Sequence, residues 1–356
     1  MLNRDNPLAQ HQSPRHRSFY SNLCDQSNWQ SKLNNASWEA ADFSSGHFHQ
    51  RKSEVESMKV RIGYGLGISG MAGNGADYGR FVDDLERLGF DSVWFSERIN
   101  GDAPDPCSAM AFAAGRTKKL KIGMSVMVLP GRNPVLVAKE LASIDMLSGG
   151  RLLPAFGLGV ADPREQQGFG VAREDRAPMF NEALGLIRRL WSEDDVTHEG
   201  RFYSCANITV RPRPVQSPPE VWLGGIAPSE LRRVGRLADG WLPSFVTPEE
   251  AATAKIAVEE AAREAGRQID PEHYGVLVLY SSGAPISGDL VNRLKKRRPE
   301  LDLSTILPVG LTQTRELLER FIDVGFSKFV LLPTEANANM TAELEGVATE
   351  ILPMEN

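Results

Sequence analysis

A chain of 356 residues with 41% hydrophobic and 24% charged positions can bury a sizeable core, either as one large α/β barrel or as two ordinary domains. Its net charge of −6 argues against a nucleic-acid partner, and no run of about 18 apolar residues is present to span a membrane. Cys24, Cys107 and Cys205 are too few and too scattered for a disulfide framework, and the start of the chain has no apolar signal segment, so a cytoplasmic location is expected.

Residues 1–57 are rich in Ser, Asn, Gln and His and have no sustained period, which predicts a disordered N-terminal extension ahead of a barrel over 58–352. Four of the six histidines, His11, His16, His47 and His49, fall in that extension. His198 and His273 are left for the rest, so no His-based metal site is expected.

From Met58 onward one unit repeats, in which an amphipathic helix ends in a glycine turn and a short apolar strand follows at once. Phe81, Leu85 and Leu88 lead through Gly89 into Ser92–Phe95, and Leu317, Phe321 and Val324 lead through Gly325 into Lys328–Leu332. Between them, Lys121–Gly159 reads as strand, helix, glycine turn and strand, the length of one βαβ unit. Strands are expected near 59–66, 92–95, 121–128, 152–157, 220–223, 240–242, 274–280 and 328–332. Helices are expected near 76–88, 105–115, 134–147, 174–191, 229–237, 248–265, 312–323 and 336–350. Eight alternating pairs predict a closed (β/α)8 TIM barrel, and an open doubly wound sheet is the rival. Two stretches fall outside the repeat: a hairpin-like excursion at 195–219, after the fourth unit, and a long connection at 281–311, after the seventh strand.

Four phrases carry a resemblance. NPVLVAKELASIDMLSGGRLLPAFGLG at 133–159, HEGRFY at 198–203, PPEVWLGGIAP at 218–228 and RLADGWLP at 236–243 follow one another as in the bacterial luciferase-like superfamily of flavin- and deazaflavin-dependent oxidoreductases. The resemblance covers roughly residues 58–335. It implies a TIM barrel with cofactor at the strand C-termini, and a small-molecule substrate. Related enzymes are often dimers, so a homodimer is one oligomeric state left open. GISGMAGNGADY at 67–78 and SERI at 96–99 resemble the branch that uses coenzyme F420, with FMN-dependent monooxygenation and a non-catalytic flavin-binding barrel as alternatives.

In a barrel the strand C-termini form the active face, which selects Glu97, Arg98, Gly157, Gly159, Leu242, Pro243 and Ser244. The resemblance implies a non-prolyl cis peptide around Ser125, Val126 and Met127, against the back of the cofactor ring. A plain strand end with a core methionine is the alternative there. Gly224, Gly225, Ile226 and Ala227 run from strand into helix, and the amides of such a junction suit a cofactor phosphate. An ordinary turn with Ser229 as N-cap is the alternative. Glu97 and Arg98 stand where deazaflavin-dependent alcohol dehydrogenases resembling this chain keep an Asp-His pair. Glu97 can contact the ring there, but Arg98 cannot serve as a base, and the end of the first strand, Leu66–Met71, lacks their acid. The alternative for Glu97 and Arg98 is a surface salt bridge. Arg132, Arg211, Arg213, Arg232, Arg233 and Arg236 would form a basic rim for an acidic cofactor arm, or else a solvated face.

Overall fold

The computed structural model describes residues 58–67, 74–160, 162–335 and 339–356. The expectations for 1–57, for Ile68–Met71 and for the first turn of the last helix lie outside the described residues.

The elements follow the sequence closely. In order they are β1 (Arg61–Gly65), α1 (Gly75–Leu88), β2 (Ser92–Phe95), α2 (Pro106–Arg116), β3 (Lys121–Met124), β4 (Met127–Val128), α3 (Pro134–Ser148), β5 (Leu152–Leu153), β6 (Ala155–Gly157), α4 (Pro163–Phe169) and α5 (Arg176–Ser192). The second half has β7 (Val196–Glu199), β8 (Ser204–Ile208), β9 (Trp222–Leu223), α6 (Pro228–Leu237), β10 (Gly240–Trp241), α7 (Pro248–Glu264), β11 (Gly275–Tyr280), α8 (Gly288–Arg297), α9 (Leu311–Asp323), β12 (Lys328–Pro333) and α10 (Met340–Glu350). The expected third strand is two pieces, β3 and β4, and the fourth is β5 and β6, separated by Pro154, which has no amide to give to a ladder.

All barrel pairings are parallel. One sheet runs β11-β12-β1-β2-β3-β5 and the other β10-β9-β6-β4. The split third and fourth strands belong to both, and the bridges Trp241–Tyr274 and Ser244–Leu277 join β10 to β11. The ring therefore closes, and the open-sheet alternative is excluded. Glycine turns end the helices as the sequence indicates, with φ of 90° at Gly89, 72° at Gly149 and 83° at Gly325.

Two apolar layers result. The outer one packs helices on strands through side chains such as Ile62, Val93, Ile122, Leu141 and Phe329. The inner one fills the cylinder with Trp94, Leu153, Ala155, Trp222, Leu242, Val330 and Leu332. Trp94 needs bare neighbours: a Cβ on Gly123 would lie 2.6 Å from its ring, and one on Gly63 2.7 Å from its indole nitrogen. At the N-terminal end of the strands, Lys328 Nζ meets Asp91 Oδ2 at 3.0 Å and Lys121 Nζ meets Asp91 Oδ1 at 3.1 Å. The chain's last residues seal that end, with Ile62 N donating to Glu355 at 2.5 Å and Val60 N to Asn356 at 2.8 Å.

Candidate active site

The opposite end of the cylinder, where the strands finish, brings most of the selected residues together. Between β3 and β4 the Ser125–Val126 peptide bond is cis, at the place the resemblance implies. Val126 is half-buried and packs on the inner layer. Gly157, on the neighbouring β6, leaves it room, since a Cβ there would sit 2.5 Å from Val126 Cγ2. The result is an apolar step flanked by a bare glycine, the kind of surface a flat ring can lie on. Met127 does not share this position. Its side chain is wholly buried in the outer layer, with Sδ 3.9 Å from the Cys107 thiol, so only its backbone reaches the mouth. Ser96, at the end of β2 beside Glu97, donates from Oγ to the Ser125 carbonyl at 3.1 Å and fixes the step from β2.

Glu97 is not a surface ion pair. Its side chain is 9% exposed, Oε2 accepts from Val128 N at 2.6 Å, and Oε1 pairs with Arg132. Burial pushes its carboxyl above the usual range, although Val128 N–H and the Arg132 guanidinium pull the other way. Both oxygens are thus engaged by the loop after β4, and Glu97 acts on the mouth by holding that loop. Arg98 turns elsewhere. Its Nε donates to Glu165 on α4, and its guanidinium lies 3.9 Å from Asp162. The sequence gives α4 no apolar period, and Glu165 was not among the expected site residues.

The excursion at 195–219 contains the antiparallel pair β7 and β8. Its tip is tied to α5 by one carboxylate: Glu182 accepts from Phe202 N at 3.1 Å and Tyr203 N at 2.9 Å, and its Oε1 is 3.1 Å from His198 Nε2. Tyr203 then donates from its hydroxyl to the Arg132 carbonyl at 3.2 Å. The phrase HEGRFY is therefore a brace for the active-face loop. Replacing Glu182 with alanine is expected to cost about 2 to 3 kcal/mol, because a charged acceptor is withdrawn from half-buried amides. Limited proteolysis should then cut at 200–203, and a cleavage pattern like that of the unmodified chain would refute the brace.

Gly224–Ala227 forms a tight junction, with φ of 100° at Gly225. Ser229 is not the N-cap. Ala227 holds that position, and Glu230, three residues on, reaches back so that its Oε2 accepts from Ile226 N at 2.9 Å and Ala227 N at 3.0 Å. The chain's own carboxylate sits on the amides expected to receive phosphate, and an incoming anion would compete with it. Leu242 is 2% exposed and belongs to the inner layer, Pro243 accepts from Leu277 N at 2.9 Å, and Ser244 bridges to β11. Gly159, with φ of 79°, sits against Val128.

Of the six arginines expected at the rim, Arg132 alone is tied to the mouth. Arg211 and Arg213 pair with Asp194, just past the C-terminus of α5 and hence at the far end of the barrel. Arg233 bonds Asn181 at 3.0 Å, and Arg232 and Arg236 are exposed along α6. The 281–311 connection folds on itself around Leu294, Leu303, Ile306 and Leu307, and this small core reaches the barrel through Phe245 and Leu279. Phe245, at φ 59°, carries Arg297 over its ring at 5.1 Å.

Among the described residues, no three His, Cys, Asp or Glu side chains converge as a metal site, and no helix is long and apolar enough to cross a membrane. A closed parallel barrel with a glycine-flanked apolar step at its strand C-termini defines an α/β-barrel protein whose candidate binding face is that end of the cylinder. The chain belongs to the luciferase-like monooxygenase family, whose model matches residues 60–285, and it is an oxidoreductase of that family. It is 26% identical over 283 residues to an F420-dependent glucose-6-phosphate dehydrogenase of Microbacterium testaceum, covering 69% of this chain and 83% of the relative. A phthiodiolone/phenolphthiodiolone dimycocerosates ketoreductase of Mycobacterium kansasii is 30% identical over 207 residues, 50% of this chain and 56% of that one. Among solved structures, an F420-dependent secondary alcohol dehydrogenase in complex with an F420-acetone adduct superposes with a TM-score of 0.71. It covers 84% of this chain and 100% of its own at 22% identity, which is a likeness of fold.

Proposed function

We propose that this protein is a coenzyme F420-dependent oxidoreductase that passes hydride to or from a small organic substrate at the mouth of the barrel. The observation that carries the reading is the match, over most of both chains, to a relative named for F420 dependence, combined with a mouth whose Val126 step and bare Gly157 fit a planar ring. When bound, the deazaflavin would supply a hydride-accepting and hydride-donating carbon. The chain's own residues would do the rest. Val126 and Gly157 would back the ring, and Ser96 and Glu97 would hold that backing in place. The Gly224–Ala227 amides would take the phosphate once Glu230 yields them. FMN-dependent monooxygenation is the second reading, favoured by the family's own description.

Titrating the purified protein with each cofactor separates these readings. F420 is expected to bind with a shifted spectrum or quenched fluorescence, and FMN much more weakly. Binding of FMN alone would replace the first reading with the second, and binding of neither would refute both.

A further inference from the structure

A run of cations outside the expected rim lies on α8, in the connection after β11. Helical spacing puts Arg293, Lys296 and Arg297 on one flank of α8, at i, i+3 and i+4, and Lys295 on the other. Between the flanks, Leu290, Val291 and Leu294 join the small core that reaches the barrel through Phe245 and Leu279. All four cations are exposed. Their neighbour Arg298 is fully engaged, by Glu250 at 2.5 Å, Glu300 at 2.6 Å and the Phe245 carbonyl at 2.6 Å. By contrast, Arg293, Lys295 and Lys296 make no ion pair among the described residues.

The Arg293, Lys296 and Arg297 flank starts at the junction suited to phosphate. Phe245 lies just past the end of β10, and Arg297 stacks over its ring at 5.1 Å. From the other side, the Glu230 carboxylate, which covers the Ile226 and Ala227 amides, acts electrostatically on Arg297. An anion that displaces Glu230 would therefore leave Arg297 facing it, with Arg293 one turn, about 5.4 Å, back along the helix. Like charges at these spacings repel and weaken the helix, a cost that no carboxylate among the described residues offsets for Arg293 and Lys296. A bound polyanion would offset it. F420 continues beyond its phosphate into an arm of carboxylates, whereas FMN ends at the phosphate.

We propose that Arg293, Lys296 and Arg297 form a track for the carboxylates of the F420 arm, leading from the Gly224–Ala227 junction along α8. The proposal rests on the F420 reading and deepens it, because it names the residues that tell this cofactor from FMN.

Fluorescence titration of the full chain with two forms of the cofactor tests it: F420 carrying several glutamates in its arm, and the form carrying none. The armed form is expected to bind about tenfold tighter, as three exposed ion pairs each worth roughly a factor of two imply. That advantage should fade as salt rises from about 0.05 to 0.5 M. Arg293→Gln combined with Lys296→Gln should remove most of it and leave affinity for the arm-free form as it was. Lys295→Gln, a loss of charge on the opposite flank, should change neither. Equal affinity of the two forms for the unmodified chain would overturn the track and leave the cofactor reading standing, and so would a comparable loss in Lys295→Gln. Failure of both forms to bind would overturn the cofactor reading and the track with it.

Discussion

Asp91→Ala is expected to destabilise the barrel by about 3 to 5 kcal/mol, lowering Tm on the order of 10 °C. Asp91 lies at the N-terminal end of the strands with its side chain 8% exposed, between Lys328, 7% exposed, and Lys121. Burial opposes ionisation of Asp91, but the two ammonium groups outweigh it and hold its carboxyl below the usual range. A depressed carboxyl contributes stability that is present above its unfolded value near pH 4 and lost as pH falls through the folded one, so the native protein should weaken on the acid side. Without Asp91, the buried Lys328 ammonium loses its direct partner and keeps only the electrostatic pull of Glu355. Burial pushes Lys328 down even in the native chain. The variant's stability should therefore rise from pH 7 towards pH 10 as that lysine sheds its proton. Asp91→Leu combined with Lys328→Met should recover most of the loss, since an apolar pair of similar volume replaces an ion pair at little cost. A single variant that melts within a degree or two of the native protein would show that solvent already reaches this end of the barrel.

The sequence announces this fold unusually well for a physical reason. Parallel strands covered on both faces become unbroken apolar runs such as Val93–Phe95 and Phe329–Leu332, and the helices before them stop at residues that need positive φ, as at Gly89 and Gly325. Such signals are local. Those that shape the mouth are not. Glu165 faces Arg98 across 67 positions in the sequence, and α4 is only seven residues long, too short for an apolar period to show. Tyr203 braces a carbonyl 71 positions away. Glu230 displaces Ser229 from the capping role because a carboxylate three residues into a helix can fold back onto two amides at once. The arginines were misjudged through a related blindness. Spacing along a chain does not reveal which end of a barrel a residue occupies, and Arg211 and Arg213 lie at the end away from the mouth.

Glu97 gives the second large expected effect. A direct contact with a bound ring and a clamp on the loop after β4 predict different results for the same substitutions. Glu97→Ala withdraws the acceptor from Val128 N and leaves the Arg132 guanidinium, 25% exposed, without its closest partner. The expected cost is about 3 kcal/mol in stability, as for a buried pair broken on one side but still reached by some solvent. Arg132 also donates from Nε to the Val128 carbonyl at 3.0 Å, so the loop would loosen as a unit, and the Val126 step with it. Cofactor affinity should fall tenfold or more as a consequence, about 1.4 kcal/mol for each factor of ten. Glu97→Gln decides between the two roles. An amide can still accept from Val128 N but cannot pair with Arg132, so a clamp predicts that Tm and cofactor affinity decline together. Lost affinity with unchanged Tm would instead place Glu97 on the ring itself.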